Sequence, residues 1–259
     1  MSKGAIVLNN PDPAWSGARL REQTDAFAAT AADLAPDAPV PTCPKWQARD
    51  LVAHIGQAHR WAADIVRAGA AAAPPDPRAG DPGAPSEWSA WLRAGAADLV
   101  DAVTETGPDR PVWTYVDERP AGFWLRRMLH DTLVHRADAA LAAGVEFEVE
   151  PGLAADTISE ALGLIGDPVA AQQLPSLVEL RGTGQTLQFR PTEPEEPGWL
   201  ITRTPDGPVA RRANADADVL VSGPVRDLLL VFSRRRPPSD VTVTGDAELL
   251  DHWLARTAF

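Results

Sequence analysis

The spacing of apolar residues changes near Pro151, and this change constrains the fold more than any other feature of the 259-residue sequence. Before it, apolar residues recur every three to four positions in four separate segments, as on one face of an α-helix. After it, several short segments alternate apolar and polar residues, as in β-strands with one buried face. A chain of this length is long for one hydrophobic core and suits two. The sequence therefore predicts a helical domain over residues 1–149 and an α+β domain over residues 150–259.

Four helices are predicted in the first domain. Their expected spans are residues 15–34, 47–68, 86–103 and 123–143. Gly69 and Gly144 follow the second and fourth spans and are well placed to end them, and Ser86 is the expected N-cap of the third. Irregular segments rich in proline separate the first three helices. A four-helix bundle is the simplest arrangement that buries four apolar stripes.

The second domain is predicted to contain a mostly antiparallel sheet together with helices. The expected strands are residues 177–181, 186–190, 200–204 and 218–222, and the expected helices are 152–164, 224–234 and 246–256. Residues 182–185 are predicted to form a turn between the first two strands, and Pro205-Asp206-Gly207 is a second turn signal. The predicted fold class is thus mixed, a helical bundle followed by an α+β domain.

The composition excludes several function classes. The chain has 24 Lys+Arg against 36 Asp+Glu, a formal charge of −12, so it has no basic excess to bind nucleic acid or an anionic membrane surface. No apolar run approaches the roughly 20 residues that cross a bilayer, and the first ten residues carry no cleavable signal pattern. A soluble cytoplasmic protein is expected. Cys43 is the single cysteine, which excludes an internal disulfide framework and a zinc site built from several thiolates.

The spacing of histidine and aspartate indicates one candidate metal site. Asp131 and His135 lie four residues apart on the fourth predicted helix, so their side chains share a face. His54 lies on the second predicted helix, and the three side chains converge if these helices are neighbours. Two imidazoles and one carboxylate with an open fourth position are typical of a catalytic zinc site. The alternative is a solvated Asp–His pair on a helix surface, and spacing by itself favours this alternative.

The other histidines are expected to lie outside the ligand set. His130 points about 100° away from Asp131 around its helix. His59 is displaced in the same way from His54, so a surface or loop-contact role is expected, and His252 is expected to be structural or exposed. Five tryptophans are expected to pack in the core or under loops, with one or two beside a ligand pocket near the metal: Trp46, Trp61, Trp88, Trp91 and Trp124.

Three segments carry a resemblance to a known family. Residues 42–46 read TCPKW and residues 50–56 read DLVAHIG; residues 126–138 read RRMLHDTLVHRAD; and LLL at 228–230 is followed by TGDAELL at 244–250. Together they resemble the mycothiol-dependent maleylpyruvate isomerase family, which is part of the wider DinB-like metalloprotein group. The resemblance covers nearly the whole chain, and the pair formed by DLVAH and HDTLVH is its most specific part.

The resemblance implies a DinB-like four-helix bundle that binds a divalent metal, usually zinc, followed by a sterol-carrier-like α+β domain. His54 and His135 match the two histidine ligands, and Asp131 matches a glutamate ligand. Aspartate is one methylene shorter than glutamate, so it must approach the metal more closely, bind through water or leave the ligand set. We expect it to bind. The same ligand set suits zinc, nickel and iron.

The resemblance also implies a catalytic role for Arg235, which matches an arginine that can hold a substrate carboxylate. A guanidinium suits that task because its fork binds a carboxylate through two hydrogen bonds. The alternative is a solvated basic cluster at a helix end. The family has glycine where this chain has Arg234, so the local loop geometry is open to change.

The main functional hypothesis is a metal-dependent enzyme that uses a low-molecular-weight thiol, mycothiol, as a metal-bound thiolate nucleophile toward an electrophilic small molecule. Cys43 lies in a proline-rich turn and is expected to be structural, so the reacting sulfur is expected to arrive on the co-substrate. The outcome is either thiol transfer or thiol-assisted isomerisation. Two alternatives stay open: a thiol-independent metal enzyme of secondary metabolism, and a non-catalytic small-molecule binding or resistance protein.

Overall fold

The computed structural model describes residues 12–257. The chain divides into two compact units, the first ending at Phe147 and the second beginning at Glu148, and each has its own buried core. Among the described residues, no helix combines the length and the apolar character that a membrane crossing requires.

The described part of the first unit is built on four long helices, as predicted. They are α1 (Pro13–Ala32), α2 (Ala48–Ala68), α3 (Trp88–Thr106) and α4 (Gly122–Ala143), with a short hairpin of β1 (Pro111–Val112) and β2 (Arg119–Pro120) before α4. Gly69 and Gly144 end α2 and α4 with φ angles of 65° and 66°. These left-handed angles suit glycine because it lacks a Cβ atom. The two predicted helix ends are therefore confirmed.

Apolar packing fixes how the helices of this unit are rotated. α1 and α2 each pack against both α3 and α4. Each helix contributes fully buried side chains: Leu20 and Phe27 from α1, Leu51 and Ile55 from α2, Leu92 and Leu99 from α3, Leu129 and Leu133 from α4. Burial of one such side chain contributes roughly 1.5–3 kcal/mol. Burial of these stripes sets the rotation of each helix, and with it the direction in which the polar side chains of α2 and α4 point.

The start of α3 differs from the prediction. Ser86 lies in a 3-10 turn, Pro85–Glu87, and α3 begins at Trp88. The Glu87 carboxylate accepts a hydrogen bond from the Ala84 backbone N–H at 2.7 Å. The prediction that Ser86 is the N-cap is therefore wrong, because Glu87 reaches back over the turn and satisfies a backbone donor ahead of the helix.

The second unit is a five-stranded sheet with helices, as the α+β prediction requires. Three helices precede the sheet: α5 (Pro151–Ile165), α6 (Pro168–Gln173) and α7 (Pro175–Val178). The sheet contains β3 (Thr186–Pro191), β4 (Trp199–Thr204), β5 (Gly207–Arg212), β6 (Val219–Gly223) and β7 (Thr242–Gly245), with α8 (Val225–Phe232) before β7 and α9 (Ala247–Arg256) after it. The strand order is β5-β4-β3-β6-β7, and only the β3–β6 pair is parallel. The mixed fold class and the mostly antiparallel sheet are confirmed.

The predicted strand at residues 177–181 is wrong. Its first residues belong to α7, which ends at Val178, and the rest form a turn. Leu177 and Leu180 are both buried, and their spacing of three matches one helical turn better than a strand. The strands β5 and β7 were not predicted. Both are edge strands with few buried side chains, so their alternation is weak in the sequence.

Candidate metal centre

α2 and α4 bring the three predicted donors together. One ligand atom each from His54, Asp131 and His135 lies within 4.8 Å of the other two. His54 lies on the second turn of α2, whose start is fixed by a hydrogen bond from the Gln47 backbone N–H to the Asp50 carboxylate at 2.9 Å. Asp131 and His135 are one helical turn apart on α4, so both face α2. We refer to these three side chains as the donor cluster.

The donor cluster is compact, and solvent can reach it. His54 Nε2 lies 3.7 Å from Asp131 Oδ2, which is longer than a hydrogen bond. The rings of His54 and His135 meet edge to face, with centroids 4.9 Å apart. The side chains of His54 and Asp131 are 21% and 27% exposed. The two imidazoles and the carboxylate lie close together but leave space between them. Ligands of one divalent ion are arranged in this way.

The charge state of Asp131 suits a metal ligand. Burial raises the pKa of its carboxyl group. The favourable interactions with His54, His135 and Arg127 outweigh burial and hold this pKa well below its usual value. Arg127, one turn before Asp131 on α4, places Nη2 3.9 Å from Asp131 Oδ1. The carboxyl group is therefore ionised at neutral pH, the form that binds cations.

A second layer of contacts holds His135. Its Nδ1 lies 2.7 Å from Asp138 Oδ2, and Asp138 is fully buried. The hydroxyl of Thr42 donates a hydrogen bond of 2.6 Å to Asp138 Oδ1. These two residues had no role in the sequence prediction. The i, i+3 spacing of His135 and Asp138 could have indicated that these two side chains meet, because it is visible in the sequence. No sequence pattern indicates the contact of Thr42, because Thr42 lies on a loop far from Asp138 along the chain.

Trp46 forms an aromatic wall beside the donor cluster. Its ring meets the His54 ring at 60° with centroids 5.0 Å apart, and it stacks on the His135 ring at 20° and 5.8 Å. Trp46 is therefore the tryptophan that fulfils the expectation of an aromatic side chain next to the candidate site. Trp88 and Trp124 are fully buried in the core.

The other histidines occupy different environments. His59 is completely buried, and its Nε2 lies 2.8 Å from the Thr132 hydroxyl. Burial lowers the pKa of His59 to about 4. The expected surface or loop-contact role of His59 is therefore wrong, because its position on α2 faces the bundle interior. His130 is also buried and belongs to neither candidate donor group of the described residues. His252 is half-buried, and its Nε2 lies 3.0 Å from the Glu179 carbonyl oxygen, which fits a structural role.

Arg235 lies in the second unit, in the turn that follows α8. Its guanidinium donates to the Ser233 carbonyl oxygen at 2.8 Å, and the backbone N–H groups of Arg235 and Arg236 both donate to the Leu230 carbonyl oxygen. Arg234 has a φ angle of 61°, in the left-handed region that favours glycine. We refer to residues 233–236 as the arginine corner. The turn keeps a glycine-like conformation although an arginine occupies the position.

Two family models match the chain. The model described as the mycothiol maleylpyruvate isomerase N-terminal domain matches residues 18–140, and the model of the MDMPI C-terminal domain matches residues 152–252. Together they span most of the sequence. The chain belongs to the mycothiol-dependent maleylpyruvate isomerase family. A search of curated proteins gave no match.

Two solved structures of this family share the fold. The crystal structure of the mycothiol-dependent maleylpyruvate isomerase aligns with a TM-score of 0.61 at 17% identity, and it covers 93% of this chain and 97% of its own. A histidine-to-alanine mutant of that isomerase aligns with a TM-score of 0.59 at 18% identity and the same coverage. The likeness extends over both units of this family member and shows their fold.

A second group of donors overlaps the first. Ligand atoms of Cys43, His135 and Asp138 also lie within 4.8 Å of one another. His135 is therefore common to two possible ligand sets in this family member, and one of them contains its single cysteine. Sequence spacing did not indicate the second set, because Cys43 is 92 residues from His135 and reaches it only through the fold.

Proposed function

We propose that this chain is a divalent-metal-dependent enzyme that uses mycothiol to act on an electrophilic small molecule, by thiol-assisted isomerisation or by thiol transfer. The observation that carries the proposal is the donor cluster, in which His54, Asp131 and His135 converge from two helices within 4.8 Å. Family membership supports the thiol and the isomerase chemistry. The mixed donor set suits zinc best, with nickel and iron as the competing ions.

The residues of the donor cluster fit a resident metal. Asp131 is ionised at neutral pH, and the two histidines supply neutral nitrogen donors. Three protein ligands leave at least one coordination position open, as catalytic rather than structural sites do. A divalent ion held there would lower the pKa of a bound thiol, so that its sulfur is available as a nucleophile near neutral pH. The shorter aspartate side chain is compatible with this role, because Asp131 Oδ2 lies only 3.7 Å from His54 Nε2.

The neighbouring side chains of the first unit have distinct tasks in this proposal. Trp46 covers the rings of both histidines, so it restricts their motion and keeps bulk water away from one side of the cluster. Arg127 balances the charge of Asp131 from the helix side. The exposed fractions of His54 and Asp131 leave a path by which a small thiol and its substrate reach the donors.

The reacting thiol comes from outside the protein in this proposal. Cys43 is the single cysteine, and its sulfur lies beside the buried carboxylate of Asp138. An adjacent anion disfavours the thiolate form, which is the nucleophilic one. Mycothiol, on which the structurally similar isomerase depends, is therefore the proposed co-substrate, and Cys43 remains a structural residue.

Arg235 is the proposed residue for holding an anionic substrate. Its guanidinium has the fork geometry that carboxylates bind, and the arginine corner fixes its backbone through hydrogen bonds to Leu230. Arg235→Lys keeps the charge and loses the fork. We expect this variant to raise the KM for a carboxylate substrate by roughly 10–100-fold, since a lost hydrogen bond to a charged group costs about 1.5–3 kcal/mol. An unchanged KM for both Arg235→Lys and Arg235→Ala would contradict the role.

The proposal is tested by metal analysis and by an isomerisation assay. Purified protein is analysed for bound zinc, nickel and iron, and maleylpyruvate, the substrate of the structural relatives, is offered with and without mycothiol. We expect a stoichiometric metal and turnover that requires both metal and thiol. Turnover without thiol would favour the thiol-independent metal enzyme instead. Absence of bound metal, even after loading with each ion, would overturn the proposal in favour of a binding protein.

A further inference from the structure

His135 presents its two ring nitrogens to different surroundings. Nδ1 lies 2.7 Å from Asp138 Oδ2, a short hydrogen-bond distance. The other nitrogen, Nε2, is the one left for the donor cluster. Asp138 lies three residues after His135 on α4 and is completely buried, whereas the His135 side chain is 12% exposed. The contact is therefore shielded from solvent and is fixed by the helix that carries both residues.

Asp138 is itself held in place by a loop. The Thr42 hydroxyl donates to Oδ1 at 2.6 Å, so both carboxylate oxygens have a partner. The loop that carries Thr42 is closed by three backbone hydrogen bonds: Val40 N–H to the Trp46 carbonyl at 3.0 Å, Cys43 N–H to the Val40 carbonyl at 3.0 Å, and Trp46 N–H to the Cys43 carbonyl at 2.8 Å. The same rigid loop thus supplies the hydroxyl that orients Asp138 and the indole that covers His135.

This arrangement determines which nitrogen of His135 carries the proton. A carboxylate accepts hydrogen bonds and does not donate them. With Asp138 accepting from Thr42 on one oxygen and facing Nδ1 with the other, the proton must be on Nδ1. In the neutral imidazole the lone pair of His135 is then on Nε2, which is the form that a metal ligand requires.

The hydrogen bond also separates the two overlapping ligand sets. A metal held by Cys43, His135 and Asp138 would take the ring nitrogen beside Asp138, which is Nδ1. Nδ1 cannot bind a metal while it carries the proton. Asp138 would moreover lose its hydrogen bond from His135, because the metal would replace the proton on Nδ1.

We infer that Asp138, held by Thr42, is a positioning residue that keeps His135 in its Nδ1-protonated form and thereby directs the metal to His54 and Asp131 and away from Cys43. The metal part of this inference rests on the proposed function. The protonation part does not, because the contacts of Asp138 with His135 and Thr42 involve protein atoms only. The two parts therefore have separate tests.

The first test measures the tautomer in the full-length, metal-free protein. Nitrogen-15 NMR of the histidine side chains, with His135 assigned by a His135→Gln variant, distinguishes Nδ1–H from Nε2–H. We expect Nδ1–H in the wild type and a mixture in Asp138→Ala. Thr42→Val removes only the hydroxyl from a half-buried loop residue and should shift the tautomer in the same direction by a smaller amount. It keeps the test open if Asp138→Ala does not fold.

Thr132→Val is the matched control, because it removes a hydroxyl that contacts a different histidine, His59. It should leave the His135 tautomer unchanged. An Nε2–H signal for His135 in the wild type would overturn the inference, as would an unchanged tautomer in both Asp138→Ala and Thr42→Val.

The second test measures metal binding by chelator competition with zinc and by the absorption of the cobalt-loaded protein. We expect Asp138→Ala to bind zinc roughly 10–100-fold more weakly, the usual effect of losing a partner of a metal-bound histidine. Cys43→Ser should bind as the wild type does, and cobalt in the wild type should show no sulfur-to-metal charge-transfer band. Sulfur ligation that disappears in Cys43→Ser would overturn the inference while leaving a metal enzyme intact. A wild type that binds no metal would instead overturn the proposed function, and the tautomer result would stand.

Discussion

The donor cluster and the arginine corner are the two candidate functional features of this protein, and they are built in opposite ways. The donor cluster uses regular helices, and each of its side chains occupies a position that helical periodicity and apolar packing dictate. The arginine corner uses a turn in which a non-glycine residue, Arg234, is held at a φ angle of 61°. The first needs no unusual backbone conformation, whereas the second carries a conformational cost of roughly 1–2 kcal/mol.

The difference teaches where residue-by-residue comparison with a family is reliable. On a helix, His54, Asp131 and His135 keep their relative places as long as the apolar stripes keep theirs. In a turn, a substitution of glycine by arginine changes the conformational energy of the backbone, but it does not change the apolar periodicity of the sequence. The turn nevertheless retains its conformation here, because three consecutive backbone N–H groups, from Arg234 to Arg236, donate to carbonyl oxygens of α8.

The largest expected effect breaks the donor cluster. The double variant His54→Ala/His135→Ala leaves only one carboxylate donor, so we expect it to lose the bound metal. Turnover should fall by more than about 100-fold, because losing a residue that only hydrogen-bonds to a metal ligand already lowers activity by up to about 100-fold. Elemental analysis after dialysis and the isomerisation assay measure both. His59→Gln, on the same helix as His54 but outside the cluster, should keep its metal. A double variant that retains stoichiometric metal would contradict the assigned ligands.

Asp131 sharpens the comparison between this chain and its family. Asp131→Asn keeps the shape and removes the negative charge, so we expect metal affinity to fall at least about tenfold. Asp131→Glu restores the residue type that the family resemblance implies, and it should bind metal at least as tightly as the wild type does. Chelator competition measures both. Equal affinities for the aspartate, asparagine and glutamate forms would show that this position does not bind the metal.

His59 tests how strongly burial, in the absence of metal binding, lowers the pKa of a histidine in this bundle. Its pKa is about 4 in the folded protein, because burial disfavours the charged form, against about 6.5 in an unfolded chain. Between pH 6.5 and 4 the unfolded chain binds more protons, so the free energy of unfolding falls as the pH falls. The decrease in the free energy of unfolding that is due to this residue totals up to about 3 kcal/mol. The contribution is complete above pH 6.5 and is lost toward pH 4.

Urea unfolding of the metal-free protein between pH 7 and pH 4 measures this effect. His59→Gln should lose up to about 3 kcal/mol less than the wild type over that interval. His252→Gln, which alters a half-buried histidine of the other unit, is the control and should follow the wild type. Parallel pH profiles for the wild type and His59→Gln would contradict the assignment of a neutral, buried His59.

The smallest expected effect concerns the arginine corner. Arg234→Gly removes the cost of a left-handed arginine but adds backbone entropy to the unfolded chain, so we expect a net stabilisation of about 0.5–1 kcal/mol. Thermal unfolding measures it. Arg236→Gly, at a residue without positive φ, should stabilise nothing and serves as the control. A destabilising Arg234→Gly would mean that side-chain contacts of Arg234 outweigh its backbone cost.

Several features that the sequence predicts wrongly share one physical cause. The sequence predicts a strand at residues 177–181 from alternation, yet Leu177 and Leu180 are buried through one helical turn and the segment that follows it. The edge strands β5 and β7 escape prediction because they bury few side chains. The surface role predicted for His59 fails for a related reason, since polarity alone does not reveal that a histidine is buried against a threonine. In each case the local pattern is weak and tertiary contacts decide.

The sequence by itself determined the four helices of the first unit, the α+β character of the second and the spacing of Asp131 and His135, because each depends on periodicity within one element. It also contains the motifs that the two family models match. Only the tertiary structure decided that α2 faces α4 so that His54 completes the cluster, that Thr42 and Asp138 orient His135, and that Cys43 lies beside a competing ligand set. These depend on contacts between residues up to 96 positions apart, and such contacts follow from how whole helices and loops pack.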